Sequence, residues 1–232
     1  MPAMPAISII VPIRDEPAEL GEVLSRWWSP GQAEMLVVDD TGSPAAEVLR
    51  RAGARVIERA GSRGARLGHA AGLARGDILF FLHADSRPPD DALELVRRSL
   101  SGRTCAGAFS LEYAEADRTM RCIAWSANLR SRWLRLPFGD QGLFCTRAAY
   151  ESAGGFRDLP VCDDLDLVRR LKRTGRFEIL PERVVTSARH YRRRGVARQT
   201  LRVWRVLAGY YLGVDPTRLA RWYHGPRDHR AA

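Results

Sequence analysis

An α/β fold, with a mostly parallel central sheet flanked by helices, is what this 232-residue sequence predicts. Three observations lead there. Apolar runs of strand length recur through the first hundred residues, separated by helical segments. Several of these runs end at acids, where open parallel sheets gather ligands. The composition, 45% hydrophobic and 28% charged, is that of a folded chain with a buried core.

The elements follow in order. Ile7–Ile13 reads as a strand and Ala18–Trp28, after Pro17, as a helix. Met35–Val38 is a strand ending at Asp39-Asp40. Pro44–Ala52 is a helix with Ser43 as its expected cap. Arg55–Glu58 is a short strand and Ala65–Ala74 a helix of small residues. Ile78–Leu82 is five apolar residues between Gly76 and Pro88-Pro89, which reads as a strand buried on both faces. A helix from Asp90 to Leu100 follows. Strand–helix alternation of this kind implies right-handed crossovers. Beyond Gly102 the rhythm changes. Ala106–Tyr113 and Gly142–Thr146 are strands, and Phe177–Leu180 and Val184–Thr186 two short ones. Thr119–Leu134 is a helix with two apolar stripes. Met120, Ile123, Ala124, Ala127 and Leu134 form one, and Cys122, Trp125, Leu129 and Trp133 the other. One stripe should pack on the sheet, and the other is expected as further core, the alternative reading being an apolar acceptor surface. Asp164–Thr174, Val196–Val214 and Pro216–Tyr223 complete the helices. The whole reads as one domain, 1–232: a first half to about residue 100, a second to about 195, and C-terminal helices over 196–232.

The formal net charge is +10, and Lys172 is the only lysine among 37 basic residues. Residues 169–205 carry 13 of them against two acids, Glu178 and Glu182, so the positive charge is regional. The helix at 196–214 sets Arg198, Arg202 and Arg205 on one face and Val203, Leu207, Tyr210 and Val214 on the other. Such a helix suits peripheral contact with a membrane or packing on its own domain. The basic residues form no recognisable nucleic-acid module, so no nucleic-acid partner is expected. Cys105, Cys122, Cys145 and Cys162 are widely spaced, which argues for free thiols in a reducing cytoplasm rather than for zinc. The start lacks a basic leader, and no apolar run approaches membrane-spanning length.

The chemistry concentrates in three acid clusters behind apolar segments: Asp39-Asp40, Asp85 and Asp163-Asp164. Between the first two, Gly61-Ser62-Arg63-Gly64-Ala65-Arg66 turns into a helix and can offer N–H groups and guanidinium to a diphosphate. Val11-Pro12-Ile13-Arg14-Asp15-Glu16, Val37-Val38-Asp39-Asp40, Leu82-His83-Ala84-Asp85, Gly154-Gly155-Phe156 and Asp163-Asp164-Leu165-Asp166 resemble, in order and spacing, the motifs of family 2 glycosyltransferases. The likeness runs from residue 7 to about 190. The His-Ala-Asp form, Gly139-Asp140-Gln141-Gly142 and Leu212-Gly213-Val214-Asp215-Pro216 resemble a bacterial subgroup found beside radical-SAM or selenium-related genes.

The resemblance implies a GT-A fold and transfer of a sugar from a nucleotide-diphospho-sugar, with a UDP-sugar expected, to an acceptor hydroxyl of a lipid, isoprenoid or small metabolite. It implies that Pro12, Arg14 and Glu16 line the nucleoside pocket, that Asp39, beside Asp40, reads the base, and that Arg63 or Arg66 meets base or diphosphate near Ala84. Asp85 would hold Mg2+ or Mn2+, with His83 and His190 as further metal contacts, though a strand-end His also suits a structural role. Asp164 would be the general base. Asp163 would orient the acceptor or base, or cap the helix that follows, and Asp140 and Gln141 would face the acceptor. The residue types fit the chemistry: a cation offsets charge on the departing diphosphate, and a carboxylate takes the hydroxyl proton as the anomeric centre inverts. The enzyme is expected in the cytoplasm or at the inner face of the cell membrane. Nucleotidyl transfer to a sugar phosphate is the rival activity, and a non-catalytic nucleotide-sugar binder the rival class.

Overall fold

The computed structural model describes residues 6–114 and 117–225, without the side chains of His190, Arg193 and Arg194. The chain runs β1 (Ile7–Ile13), α1 (Ala18–Trp27), β2 (Glu34–Asp39), α2 (Pro44–Arg51), β3 (Arg55–Glu58), α3 (Arg63–Leu73), β4 (Ile78–Phe81) and α4 (Ala92–Ser99). It continues through β5 (Thr104–Tyr113), α5 (Arg118–Leu134), β6 (Leu143–Thr146), α6 (Arg147–Ser152), α7 (Asp163–Thr174), β7 (Arg176–Thr186), α8 (Arg189–Arg194), α9 (Val196–Tyr211) and α10 (Pro216–His224). Among the described residues the strands form one sheet in the order β3-β2-β1-β4-β6-β5-β7.

The apolar runs explain the architecture. Ile78, Phe80 and Leu82 enter one core with Leu24, Leu49, Phe109 and Phe144. Leu79 and Phe81 enter the other, with Leu67, Tyr150, Leu165 and Leu171. Alternate residues of one strand thus fill two layers, so the run is continuous rather than alternating. Each large side chain so buried is worth about 1.5–3 kcal/mol. The four N-terminal strands are parallel, β1 lying between β2 and β4, with Ile13 opposite Asp39 and Ile10 opposite Phe81. Helical crossovers require that arrangement.

One strand is reversed. β6 runs antiparallel to β4 and β5, with Leu143 opposite Phe81. The segment leading into β6 therefore reaches the same sheet edge as the loops that leave β2 and β4. A short 3-10 turn, Gly139–Gln141, lies there. β5 and β7 pair in parallel and end together at Tyr113 and Thr186.

The structure corrects several sequence expectations. The two short strands at 177–180 and 184–186 are one strand, β7. Pro181 is tolerated within it because β7 lies at the end of the sheet. Ser43 stands at the N-cap of α2, but its hydroxyl bonds Asp39 instead of capping the helix. On α5, Met120, Ala124, Ala127 and Ser131 are buried, whereas Trp125, Leu129, Trp133 and Leu134 are exposed. Only one face of α5 meets the sheet, so its second stripe is not core. In the C-terminal helices a Cβ on Gly209 would stand 2.6 Å from Leu219 and 2.7 Å from Trp222. The glycine lets α9 and α10 approach closely. No helix among the described residues is long and apolar enough to cross a membrane.

Candidate active site

At the end of β2, Asp39 is turned into its own loop. Its carboxylate accepts from the N–H groups of Ser43 (2.6 Å) and Thr41 (3.2 Å) and from the Ser43 hydroxyl (2.8 Å). Burial opposes its ionisation, but these bonds outweigh burial and hold the carboxyl below its ordinary value. Asp40 points to two arginines: Arg14 donates to it through Nε at 2.7 Å, and Arg66 lies 3.4 Å away. Arg66 is buried and also donates to the Ile13 carbonyl at 2.7 Å. Glu16 lies 3.6 Å from Arg189; burial raises its carboxyl, Arg189 pulls it back and the charge of Asp85 adds to the rise.

The second cluster is organised by Arg63, in the first turn of α3. Its Nε and terminal nitrogen donate to both oxygens of Asp163, at 3.0 and 2.8 Å. The same nitrogen lies 3.2 Å from Asp164, and the other donates to His83 Nε2 at 2.8 Å. Asp164 also accepts from the Gly139 N–H at 2.6 Å and from the Leu165 N–H at 2.7 Å. Burial opposes its ionisation, but the Arg63 charge and the two N–H groups outweigh burial and lower its carboxyl below the ordinary value. Gly139 makes the approach possible. A Cβ there would stand 3.0 Å from His83 Nε2 and 3.1 Å from Asp164.

Two sequence expectations change at this cluster. Asp163 does not cap α7, because Cys162 holds the N-cap in a left-handed conformation (φ 61°) and Asp163 faces Arg63. Gln141 does not face an acceptor. Its amide is fully buried, donating to the Phe109 carbonyl at 2.9 Å and accepting from the Ser131 hydroxyl at 2.7 Å, so it fastens the turn before β6.

Arg63, His83, Asp85, Asp140, Asp163 and Asp164 all line one cavity of about 410 Å³. Its remaining wall is largely apolar and aromatic, from α5 (Ile123, Ala127), from Tyr113 and Tyr191, and from α9 (Val203, Trp204, Leu207). Pro12 lines a small hollow beside it with Arg63, His83 and Asp164. Arg14, Glu16, Asp39, Asp40 and Arg66 line neither space, and the Ala84 side chain belongs to the core. The His190 side chain lies outside the described residues.

Asp140 is the unusual acid of the cavity. One of its oxygens is buried with no hydrogen-bond partner. Burial, opposed by Arg130 and reinforced by Asp164 and Asp85, pushes its carboxyl up to about 6. Arg130 lies over the Phe138 ring at 3.6 Å and donates to the Leu136 carbonyl at 3.0 Å. The sequence reading missed Arg130, Tyr113 and Tyr191. Arg130 lies between the two apolar stripes of its helix, and the aromatic pair, with ring centroids 5.7 Å apart, comes from segments far apart in sequence.

The donor set can be tested against a divalent cation. Among the described residues no group of three or more His, Cys, Asp or Glu side chains is gathered as for a metal. His83 Nε2 accepts from Arg63, which takes the lone pair a cation would need. Asp85 differs: its carboxylate opens on the cavity with one long contact, 3.4 Å, from the Thr186 hydroxyl. The site fits a cation held by Asp85 and completed by substrate oxygens.

Sheet order, the reversed strand and acids gathered at the strand ends define the class: an α/β fold of GT-A type. The mannosyltransferase PcManGT from Pyrobaculum calidifontis, solved with GDP-Man and Mn2+, is similar with a TM-score of 0.67 at 19% identity, covering 100% of this chain and 71% of that one. S. aureus TarS 1-349, solved with UDP-GlcNAc, gives 0.61 at 15% identity and covers 78% and 58%. A mycobacterial protein gives 0.55 at 19% identity, covering 79% and 65%. The chain thus spans 58% of the TarS segment it matches. No curated protein sequence matches the chain. Residues 8–149 match the family described as glycosyl transferase family 2, and the chain belongs to that family.

Proposed function

We propose that the protein is an inverting glycosyltransferase that uses a nucleotide-diphospho-sugar, with a UDP-sugar as donor. The observation that carries this reading is the one cavity lined by Asp85, just beyond β4, by Asp164 at the start of α7 and by Arg63, 3.2 Å from Asp164. Family membership supports it. So do the ligands of two structures of the same fold, UDP-GlcNAc with TarS and GDP-Man with PcManGT.

In this reading residues 1–100 bind the nucleotide, 101–195 receive the acceptor, and the C-terminal helices wall the acceptor's path. Arg14, Glu16, Asp39, Asp40 and Arg66 form the nucleoside side, and Arg63 meets the diphosphate. Asp85 would hold Mg2+ or Mn2+, which supplies positive charge against the departing diphosphate. Asp164 is the base. Its lowered carboxyl keeps it ionised at neutral pH, and it takes the proton as the acceptor oxygen bonds the anomeric carbon. The bond from that carbon to the phosphate oxygen breaks, and its electron pair leaves with the nucleoside diphosphate. Asp163 holds Arg63 in place, and Asp140 lies where the acceptor enters. The apolar wall suits an acceptor with a lipid or isoprenoid body. Four free thiols and the donor class suit the cytoplasm. The His83-Ala84-Asp85 form supports the subgroup found beside radical-SAM or selenium-related genes.

The test pairs two variants. Asp85→Ala is expected to abolish the Mn2+-dependent thermal shift by UDP-sugars. Asp164→Ala is expected to keep that shift and lose transfer by about 10²–10⁴-fold. Full transfer in both variants overturns the assignment, and release of pyrophosphate instead of nucleoside diphosphate would establish the nucleotidyltransferase activity.

A further inference from the structure

The helices that wall the cavity carry exposed faces that the chemistry above does not use. On α5, Trp125 is 67% exposed and Trp133 81%, with Leu129 between them on the same stripe. On α9, Leu201 is 71% exposed and Trp204 53%. Ala197, Leu201, Trp204, Ala208 and Tyr211 follow the 3–4 residue spacing of one helix face and are all exposed. Both helices also wall the cavity, through Ile123 and Ala127 of α5 and Val203 and Leu207 of α9. Two helices that wall one apolar cavity thus each carry an exposed, tryptophan-bearing stripe: on α9 Trp204 belongs to both the stripe and the cavity wall, and on α5 the stripe lies on the face away from Ile123 and Ala127.

The charged residues of the two helices have one sign. Arg118, Arg121 and Arg132 are exposed on α5, and Arg198 and Arg205 on α9. Arg118, Arg121, Arg198 and Arg202 have no ion pair among the described residues. Tryptophan at an apolar–polar boundary with arginine alongside is the chemistry of a helix lying in a bilayer interface. A surface that recognises an acidic protein would not need three exposed indoles.

We propose that the exposed faces of α5 and α9 dock on an anionic lipid bilayer. The indoles enter the headgroup region and the arginines meet lipid phosphates. Naming the cavity as the acceptor's rests on the function proposed above; the docking itself does not. An amphiphilic acceptor would then be drawn from the membrane beside α9, whose Trp204 belongs to both the exposed stripe and the cavity wall.

The test is sedimentation of the full chain with vesicles of phosphatidylcholine alone or mixed with phosphatidylglycerol. Binding to the anionic vesicles is expected to exceed binding to the neutral ones by more than about tenfold near 0.1 M salt and to weaken in high salt. The triple variant Trp125→Ser, Trp133→Ser, Leu201→Ser and, separately, Arg118→Gln, Arg121→Gln, Arg198→Gln should each lose more than about tenfold in vesicle affinity. These side chains are exposed, so melting temperature and its shift by UDP-sugars should stay unchanged. No binding by the unaltered chain, equal binding to both vesicle types, or a dimer in light scattering that the Trp variant dissolves would overturn the proposal. Absence of any nucleotide-sugar shift would instead strike the glycosyltransferase reading and leave the vesicle result standing.

Discussion

Two groups of carboxylates meet at one sheet edge, and they are held in different ways. Asp39 is satisfied by Thr41 and Ser43, two and four residues on. Asp163 is satisfied by Arg63, one hundred residues back in the chain. The first arrangement is a loop that ties itself. The second exists only when α3 and α7 have packed, so the geometry around Asp164 depends on the finished fold. The Asp39 loop is thus organised locally, while the Asp163–Asp164 pair is organised by a single long-range cation.

This contrast can be broken by substitution. Arg63→Met should have the largest effect, because it leaves Asp163 and Asp164 buried without their cation; a loss of about 3–5 kcal/mol is expected in urea unfolding at neutral pH. The loss should shrink with acid. Asp164 has a lowered carboxyl, so its stabilising contribution is present above its unfolded value, about 3.8, and disappears as pH falls through the lower folded value. Asp39→Ala should cost less, about 1–3 kcal/mol, since it removes the hydrogen bonds of one loop without leaving a buried charge stripped of its counter-charge. A larger loss for Asp39→Ala than for Arg63→Met would reverse the contrast.

The smallest effect sharpens it. Asp140 has its carboxyl raised from 3.8 to about 6. A raised acid favours the folded state below the unfolded value and loses that advantage as pH rises through the folded one. Asp140→Asn should therefore gain about 1–2 kcal/mol at pH 8 relative to the unaltered chain, discounted for partial exposure, and the gain should vanish below about pH 4. Thermal unfolding across pH measures it.

The fold was legible because strands buried on both faces leave continuous apolar runs. β1 and β3 match their expected bounds, and β2 and β4 differ by a residue at their ends. Asp85, Asp163 and Asp164 could be picked out as acids behind such runs, and the structure brings them to one cavity. What a side chain touches was less legible. Nothing local distinguishes Gln141, locked by Phe109 and Ser131, from Asp140, one residue away and facing the cavity. His83 reads as a metal contact or a structural residue alike until Arg63 is seen against its Nε2. The stripe through Trp125 and Trp133 has core spacing, but only the sheet's limited area shows that nothing covers it.

The reversed strand β6 has a consequence for how such proteins diverge. In a sheet of parallel strands, every segment at the ligand edge leaves a strand and must become a crossover helix. The segment from Arg135 to Gly142 instead arrives at that edge, between α5 and a strand running the other way. It can be lengthened without altering any crossover, and doubling a loop's length costs only about 0.6 kcal/mol in closure entropy. The lining of the cavity can therefore be rewritten by insertion here, while the parallel strands that lead to Asp39 and Asp85 stay as they are.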